Sequence, residues 1–263
     1  MSAAPVITFL SDYGLADEFV GVCHAVMARR CPAARIIDLT HGIARHDIRA
    51  GALALRGALP YTPAGVHLAV VDPGVGTARR AVALRAQEQE RILVGPDNGL
   101  LWPALLALGG AVEAFDVSAS PERLEPVSST FHGRDVFAPV AASICDGVTL
   151  AALGEPVDPD ELVRLELPRA RWDGGVLHAH VLSIDAFGNV ALDADAAALA
   201  GRSTLGVAGE AIAVRASFGE VGSGELLAYV DSRGGLALAV NGGSAADRLG
   251  LRVGDALALE ASA

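Results

Sequence analysis

The chain has 263 residues, 52% apolar and 19% charged, so it can bury a large core, and wholesale disorder is excluded. All 20 basic residues are arginine, which removes both a Schiff-base lysine and the lysine of a P-loop. A net charge of −11 argues against nucleic acid as a partner, because phosphate neutralisation needs a basic face.

Met1 to Pro5 has no basic leader region, and the apolar run Val6–Leu10 is too short for the core of one, so it reads as a strand. Asp17–Arg30 follows at helical spacing. Arg35–Leu39 reads as strand and His46–Leu59 as helix. Val66–Val71, Ala81–Arg85 and Ile92–Val94 are strand-like, Gly99–Leu108 is helical with Pro103 in its first turn, and Val136–Cys145 is the next helix. The stretch Gly99–Val112 falls short of the ~18 residues that span a membrane and is broken by Pro103, Gly109 and Gly110, so no membrane partner is expected. Alternating strands and helices predict an α/β N-terminal domain with a mostly parallel sheet over residues 1–165. The charged stretch 166–175 reads as a linker. Residues 176–263 carry short strands between glycine turns, with helical pattern only at Asp195–Ala200 and Ser244–Leu249, which predicts a smaller C-terminal antiparallel β-barrel-like domain. The three cysteines, Cys23, Cys31 and Cys145, are odd in number and form no CxxC pair, so they read as buried small side chains in a reduced, cytoplasmic protein.

Four early strand-like segments run into an Asp followed closely by glycine: Asp12, Asp38, Asp72 and Asp97. Ligands of open parallel sheets bind beyond the carboxyl ends of the strands, so at least two of these are expected to share a site, although each alone also suits a turn or a helix cap. Asp12 and Asp17 suit vicinal hydroxyls, and Asp17 equally suits a cap for the following helix. The loop from Asp72 to Arg79 and Arg80 matches neither dinucleotide nor P-loop spacing, but its Asp and Arg can fold back and pair. His132, beside Gly133 before a helix, suits a general base or water anchor. His41, at a strand end, stays open, while His24, His46, His67, His178 and His180 read as structural. His178 and His180 lack a third ligand in sequence, so no metal site is expected. In Asp185-Ala-Phe187-Gly-Asn189, the pair Gly188-Asn189 reads as a hairpin turn, or Phe187 stacks on a base whose edge Asn189 reads. No serine or cysteine stands in a nucleophile motif.

Six segments in order carry a family resemblance: SDYGLADEFVG at 11–21, VVDPGVGTARR at 70–80, GPDNGLL at 95–101, STFHGRDVFAPVAA at 129–142, IDAFGNV at 184–190 and SRGGLALAVNGGSAADRLGLRVGD at 232–255. Together they resemble the S-adenosyl-L-methionine (SAM) hydroxide adenosyltransferases, relatives of the fluorinase and chlorinase. The resemblance implies a homotrimer whose sites lie between the N-domain of one subunit and the C-domain of the next. It implies attack of water on C5′ of SAM, giving adenosine and L-methionine without a cofactor or metal. The family's catalytic triad falls on Asp72, Arg79 and His132, and its ribose contact on Asp12. Contacts to the methionine part fall on Asp17, Asp185, Ser232 and Arg233, and the adenine site on Phe187, Asn189, Phe218, Val240 and Gly242. The positions that face the halide pocket of the halogenating relatives are Asp72, His132 and Gly133. His46 departs from the family pattern, and the fluorinase insertion is absent. A SAM-dependent halogenase and a non-catalytic SAM or adenosine sensor are the alternatives. The intact triad residues weigh against the sensor.

Overall fold

The computed structural model describes residues 5–88 and 90–261; Met1–Ala4, most of the segment read as lacking a leader, lie outside them. The chain divides into two compact units, Met1–Leu165 and Glu166–Ala263. No helix among the described residues is long and apolar enough to cross a membrane.

The first unit contains β1 (Val6–Ser11), α1 (Phe19–Arg30), β2 (Arg35–Thr40), α2 (Ile48–Ala58), β3 (Val66–Val70), β4 (Ala81–Ala86), β5 (Ile92–Pro96), α3 (Trp102–Ala107), β6 (Ala111–Asp116), α4 (Ala138–Cys145) and β7 (Glu155–Pro156). Its sheet has the order β2-β1-β3-β5-β4-β6-β7. The strands β2, β1, β3 and β5 are parallel, whereas β4 is antiparallel to β5 and β6, and β6 to β7. The expected α/β sheet is thus present, with a parallel block β2-β1-β3-β5 and antiparallel strands added at the other edge. The short turn between Ala86 and Ile92 explains the change, since a parallel crossover needs about a dozen residues or more.

Side chains of β1 alternate between two cores. Ile7 and Phe9 pack with Met27 of α1 and Val140 of α4, while Leu10 packs with Leu55 of α2 and Leu105 of α3. Full burial of Phe9, 0% exposed, stabilises by roughly 1.5–3 kcal/mol. The α2 helix begins two residues later than its apolar pattern suggests, because the Asp47 carboxylate accepts from Ala50 N (2.8 Å) and caps it. The expected helix at Val136–Cys145 is α4, Ala138–Cys145, entered through a π-helical turn, Gly133–Phe137. Such wide turns recur at functional sites.

The second unit contains β8 (Arg171–Asp173), β9 (Val176–Ile184), β10 (Val190–Asp195), β11 (Thr204–Val207), β12 (Glu210–Val214), β13 (Leu226–Val230), β14 (Gly235–Val240), α5 (Ala245–Leu249) and β15 (Ala256–Ala261). Seven of these strands close into a barrel through the β10–β9 pairing, with β8 added outside β9. The pairing is antiparallel except between β12 and β13, which run parallel. The segment read as a linker thus contributes a strand, β8.

Candidate active site

Asp12 and Asp72 follow the carboxyl ends of β1 and β3, which are neighbours in the sheet, so topology brings the two carboxylates to one edge. Beyond β3 the chain turns through Gly74 and Gly76, fixed by the Thr77 hydroxyl, which donates to Gly74 O (2.6 Å). Gly76 has φ 75°, and a Cβ there would strike the Ser129 carbonyl, so this loop lies directly against the segment that carries His132.

Arg79 folds back over that turn. Its Nε donates to Asp72 Oδ1 (2.9 Å), and its Nη2 meets Asp72 Oδ2. The same Nη2 lies 3.2 Å from His132 Nδ1. A guanidinium only donates, so Nδ1 is the acceptor and a neutral imidazole here carries its proton on Nε2. The guanidinium also stacks over Phe137, 5.0 Å from the ring centroid. The Asp72 and Arg79 side chains are only 6% and 10% exposed, so this is a buried, bidentate pair rather than a solvated one. Burial and the adjacent Arg79 charge hold His132 below the ordinary histidine range, partly offset by Asp72 and Asp135. The neighbouring Arg134–Asp135 pair is a brace: Asp135 also accepts from Ser128 N (2.8 Å) and pins the loop on either side of His132.

Asp12 Oδ2 accepts from His46 N (2.9 Å), at a residue held in the left-handed region (φ 65°). Asp17 is exposed ahead of α1, and no cap bond starts that helix at Glu18. Tyr13 is a member of this site that motif reading did not single out. Its hydroxyl lies where a Gly133 Cβ would be, and its ring meets Phe131 and Phe19 edge-on or tilted at 5.8 and 6.0 Å. Burial, then the charges of Cys23, Asp12 and Asp72, push this phenol well above its usual pKa, with Arg79 opposing, so it stays a neutral donor. Its position beside Asp12, between two singled-out carboxylates, was the available signal. The other strand-end carboxylates are engaged elsewhere: Asp97 takes Arg80 (2.9 Å) and Val163 N (2.9 Å), and Asp38 meets His24 and His41.

In the second unit, Asp185 organises its own loop. It accepts from the backbone of Phe187 and Asn189 (both 2.9 Å) and from Asn189 Nδ2 (2.8 Å). Phe187 projects to solvent, 79% exposed. Asp231 likewise fixes the turn bearing Ser232 and Arg233, accepting from Arg233 N and Gly235 N (both 2.9 Å). Arg233 Nη2 reaches Ser183 Oγ (3.4 Å). Tyr229, a further residue missed in sequence, stacks edge-on with Phe218 at 5.2 Å. Burial and the charges of Asp185 and Asp231 raise its pKa against Arg233, which places these side chains in one neighbourhood. Val240 ends β14, and Gly242 (φ 74°) lies in the turn after it.

The profiles of the SAM hydroxide adenosyltransferase N-terminal and C-terminal domains match residues 7–154 and 179–258. The chain belongs to the SAM hydroxide adenosyltransferase family. An (R)-S-adenosyl-L-methionine hydrolase of Salinispora tropica is 51% identical over 99% of this chain and 100% of its own length. A fluorinase of an Actinoplanes species is a more distant relative, 30% identical over 95% of both chains. The crystal structure of an uncharacterized conserved protein from Thermotoga maritima superposes with a TM-score of 0.88 at 33% identity, covering 96% of this chain and 99% of that one.

Proposed function

We propose that this enzyme hydrolyses (R)-S-adenosyl-L-methionine to adenosine and L-methionine. The observation that carries the reading is the buried Asp72–Arg79 pair in contact with His132, in a chain half identical to a protein named for that reaction. Water attacks C5′ in line with the C5′–S bond. The bond's electron pair goes to sulfur, a C5′–O bond forms, and one proton is released. The sulfonium leaves readily, so no metal or cofactor is needed for this step. What the protein supplies is a positioned water and a place for its proton. The one lone pair of neutral His132, at Nδ1, accepts from Arg79 Nη2, so it receives the proton as that contact gives way to the attacking water. Arg79 stabilises developing hydroxide, and Asp72 keeps Arg79 in place. Asp12, oriented by His46 N, has acceptor capacity left for the ribose hydroxyls.

Phe187, Asn189, Phe218, Val240 and Gly242 form the adenine contacts in this reading, and Asp17, Asp185, Ser232 and Arg233 those to methionine. The protein works as a cytoplasmic homotrimer, with each site shared between the first unit of one subunit and the second unit of the next. An Asp12→Ala chain mixed with an Asn189→Ala chain then regenerates activity that neither has alone; full activity at monomeric mass overturns the trimer.

The deciding experiment is incubation of the purified protein with SAM and chromatography of the products. Adenosine and methionine are expected with EDTA present, and metal-dependent turnover overturns the proposed mechanism. Halide is a poor nucleophile here: the Asp72 carboxylate repels an anion, Arg79 offsets part of that, and the bidentate pair leaves little net attraction for one. Excess chloride or fluoride should therefore give no 5′-halo-5′-deoxyadenosine, and its appearance as a major product assigns the chain to the halogenase alternative.

A further inference from the structure

A second cluster lies at the edge of the same sheet, on β2 and the helix that follows β1. His24 Nε2 of α1 is 2.8 Å from Asp38 Oδ1 of β2, and His41 Nε2 is 3.0 Å from the same oxygen. The three donor atoms lie within 4.8 Å of one another. His41 is nearly sealed, with 3% of its side chain exposed, and its Nδ1 is 2.7 Å from Ser11 Oγ. Its Nε2 is buried and faces Asp38 at 3.0 Å without forming a regular hydrogen bond. If Nδ1 donates to Ser11, Nε2 turns a lone pair toward a carboxylate. In this geometry the nitrogen makes no regular hydrogen bond, and a buried nitrogen left so is costly.

We propose that His24 Nε2, Asp38 Oδ1 and His41 Nε2 bind one divalent transition-metal cation of the zinc type. Two imidazoles and a carboxylate are a donor set for zinc, cobalt or nickel rather than for calcium or magnesium. Donors on a tetrahedral zinc are roughly 3.3 Å apart, so the N–O contacts of 2.8 and 3.0 Å open only slightly to take the ion, and water takes the fourth position. The Ser11 hydroxyl orients the His41 ring from behind, as outer partners of metal-bound histidines do. Phe9 fills the space between the rings, with centroids 6.1 Å from His24 and 4.6 Å from His41, and forms an apolar wall. His24 and Asp38 are partly exposed, which leaves a route for entry. The His41 carbonyl accepts from Gly14 N (2.8 Å), so the ion would tie α1 and β2 to the loop that follows Asp12. The site takes no part in the hydrolysis proposed above and does not depend on it.

Calorimetric titration of the metal-stripped chain with zinc chloride tests this. The expected result is one ion per chain at micromolar affinity or tighter. Affinity should fall at least about tenfold in His24→Ala and in Asp38→Asn, and hold in the His178→Ala/His180→Ala double variant. A visible-absorption titration with cobalt, showing ligand-field bands at one equivalent, reads the site in the unmutated protein. Binding only at millimolar metal, or affinity lost in the His178/His180 variant and kept in His24→Ala, overturns the proposal.

Discussion

Gly133 and Tyr13 approach so closely that a Cβ at position 133 would overlap the tyrosine hydroxyl. The glycine is therefore what lets a buried neutral phenol enter the site beside His132, and the hydroxyl at this place belongs to the loop after β1.

Gly133→Ala should cost about 1–3 kcal/mol in chemical denaturation, the range for forced overpacking, and should lower turnover by displacing His132. Adding Tyr13→Phe removes the colliding oxygen and should recover part of the stability loss, giving a coupling of ~0.5 kcal/mol or more in the double-mutant cycle. Independent effects of the two substitutions would show that the contact is not strained.

His132→Ala and Arg79→Ala should each lower kcat by about 10²–10⁴-fold, the range for losing a positioned proton acceptor or an oxyanion stabiliser. KM for SAM should move much less, because the proposed ribose and adenine contacts lie elsewhere. Steady-state kinetics of both variants checks this, and near-normal rates in both remove the triad from the mechanism.

The acid limb of the pH–rate profile should lie below the ordinary histidine value of 6.5, because burial and Arg79 lower the His132 pKa. A lowered pKa keeps the base form at lower pH, so kcat/KM should hold as pH falls to 6.5 and decline only beneath it. In Arg79→Met the residual activity should decline at higher pH than in the wild type.

His67 governs acid stability. It is fully buried between Thr8 Oγ1 (2.8 Å) and Arg91 Nη1 (3.1 Å), and burial, followed by the Arg91 charge, depresses its pKa to about 3. Above pH 6.5 neither state binds the proton; below it the unfolded chain does and the folded chain does not. Stability should fall from about pH 6.5 down to about 3, by up to about 1.4 kcal/mol per pH unit. Denaturant titrations of His67→Gln should show a shallower slope over this window.

Most of the first unit was legible because its strands are continuous apolar runs ended by Asp and glycine, and α1–α4 interrupt them in turn. β6 escaped because Ala111–Asp116 is half exposed and mixes a charge into its pattern; β8 escaped because its three residues lie within a charged stretch. The Asp72–Arg79 pairing was legible in the loop spacing, and its grouping with His132 came from the resemblance. Asp38 and Asp97 look the same as Asp72 in sequence, and only distant partners distinguish them: Arg80 for one, His24 for the other. Tyr13 and Tyr229 act through neighbours brought by the fold, which no local pattern encodes.

Closure of the seven-stranded barrel separates durability from selectivity in the second unit. Its ladder runs from β9 through β10, β14, β13, β12, β11 and β15 and returns to β9, so the scaffold is complete without the connecting turns. The proposed substrate contacts there lie on such turns or at their margins: 185–189, 218–220, 231–235 and 240–243. Substitutions in these turns can retune which ligand is held while leaving the barrel's cohesion almost untouched. Loop exchange among relatives is accordingly the economical route to altered substrate preference.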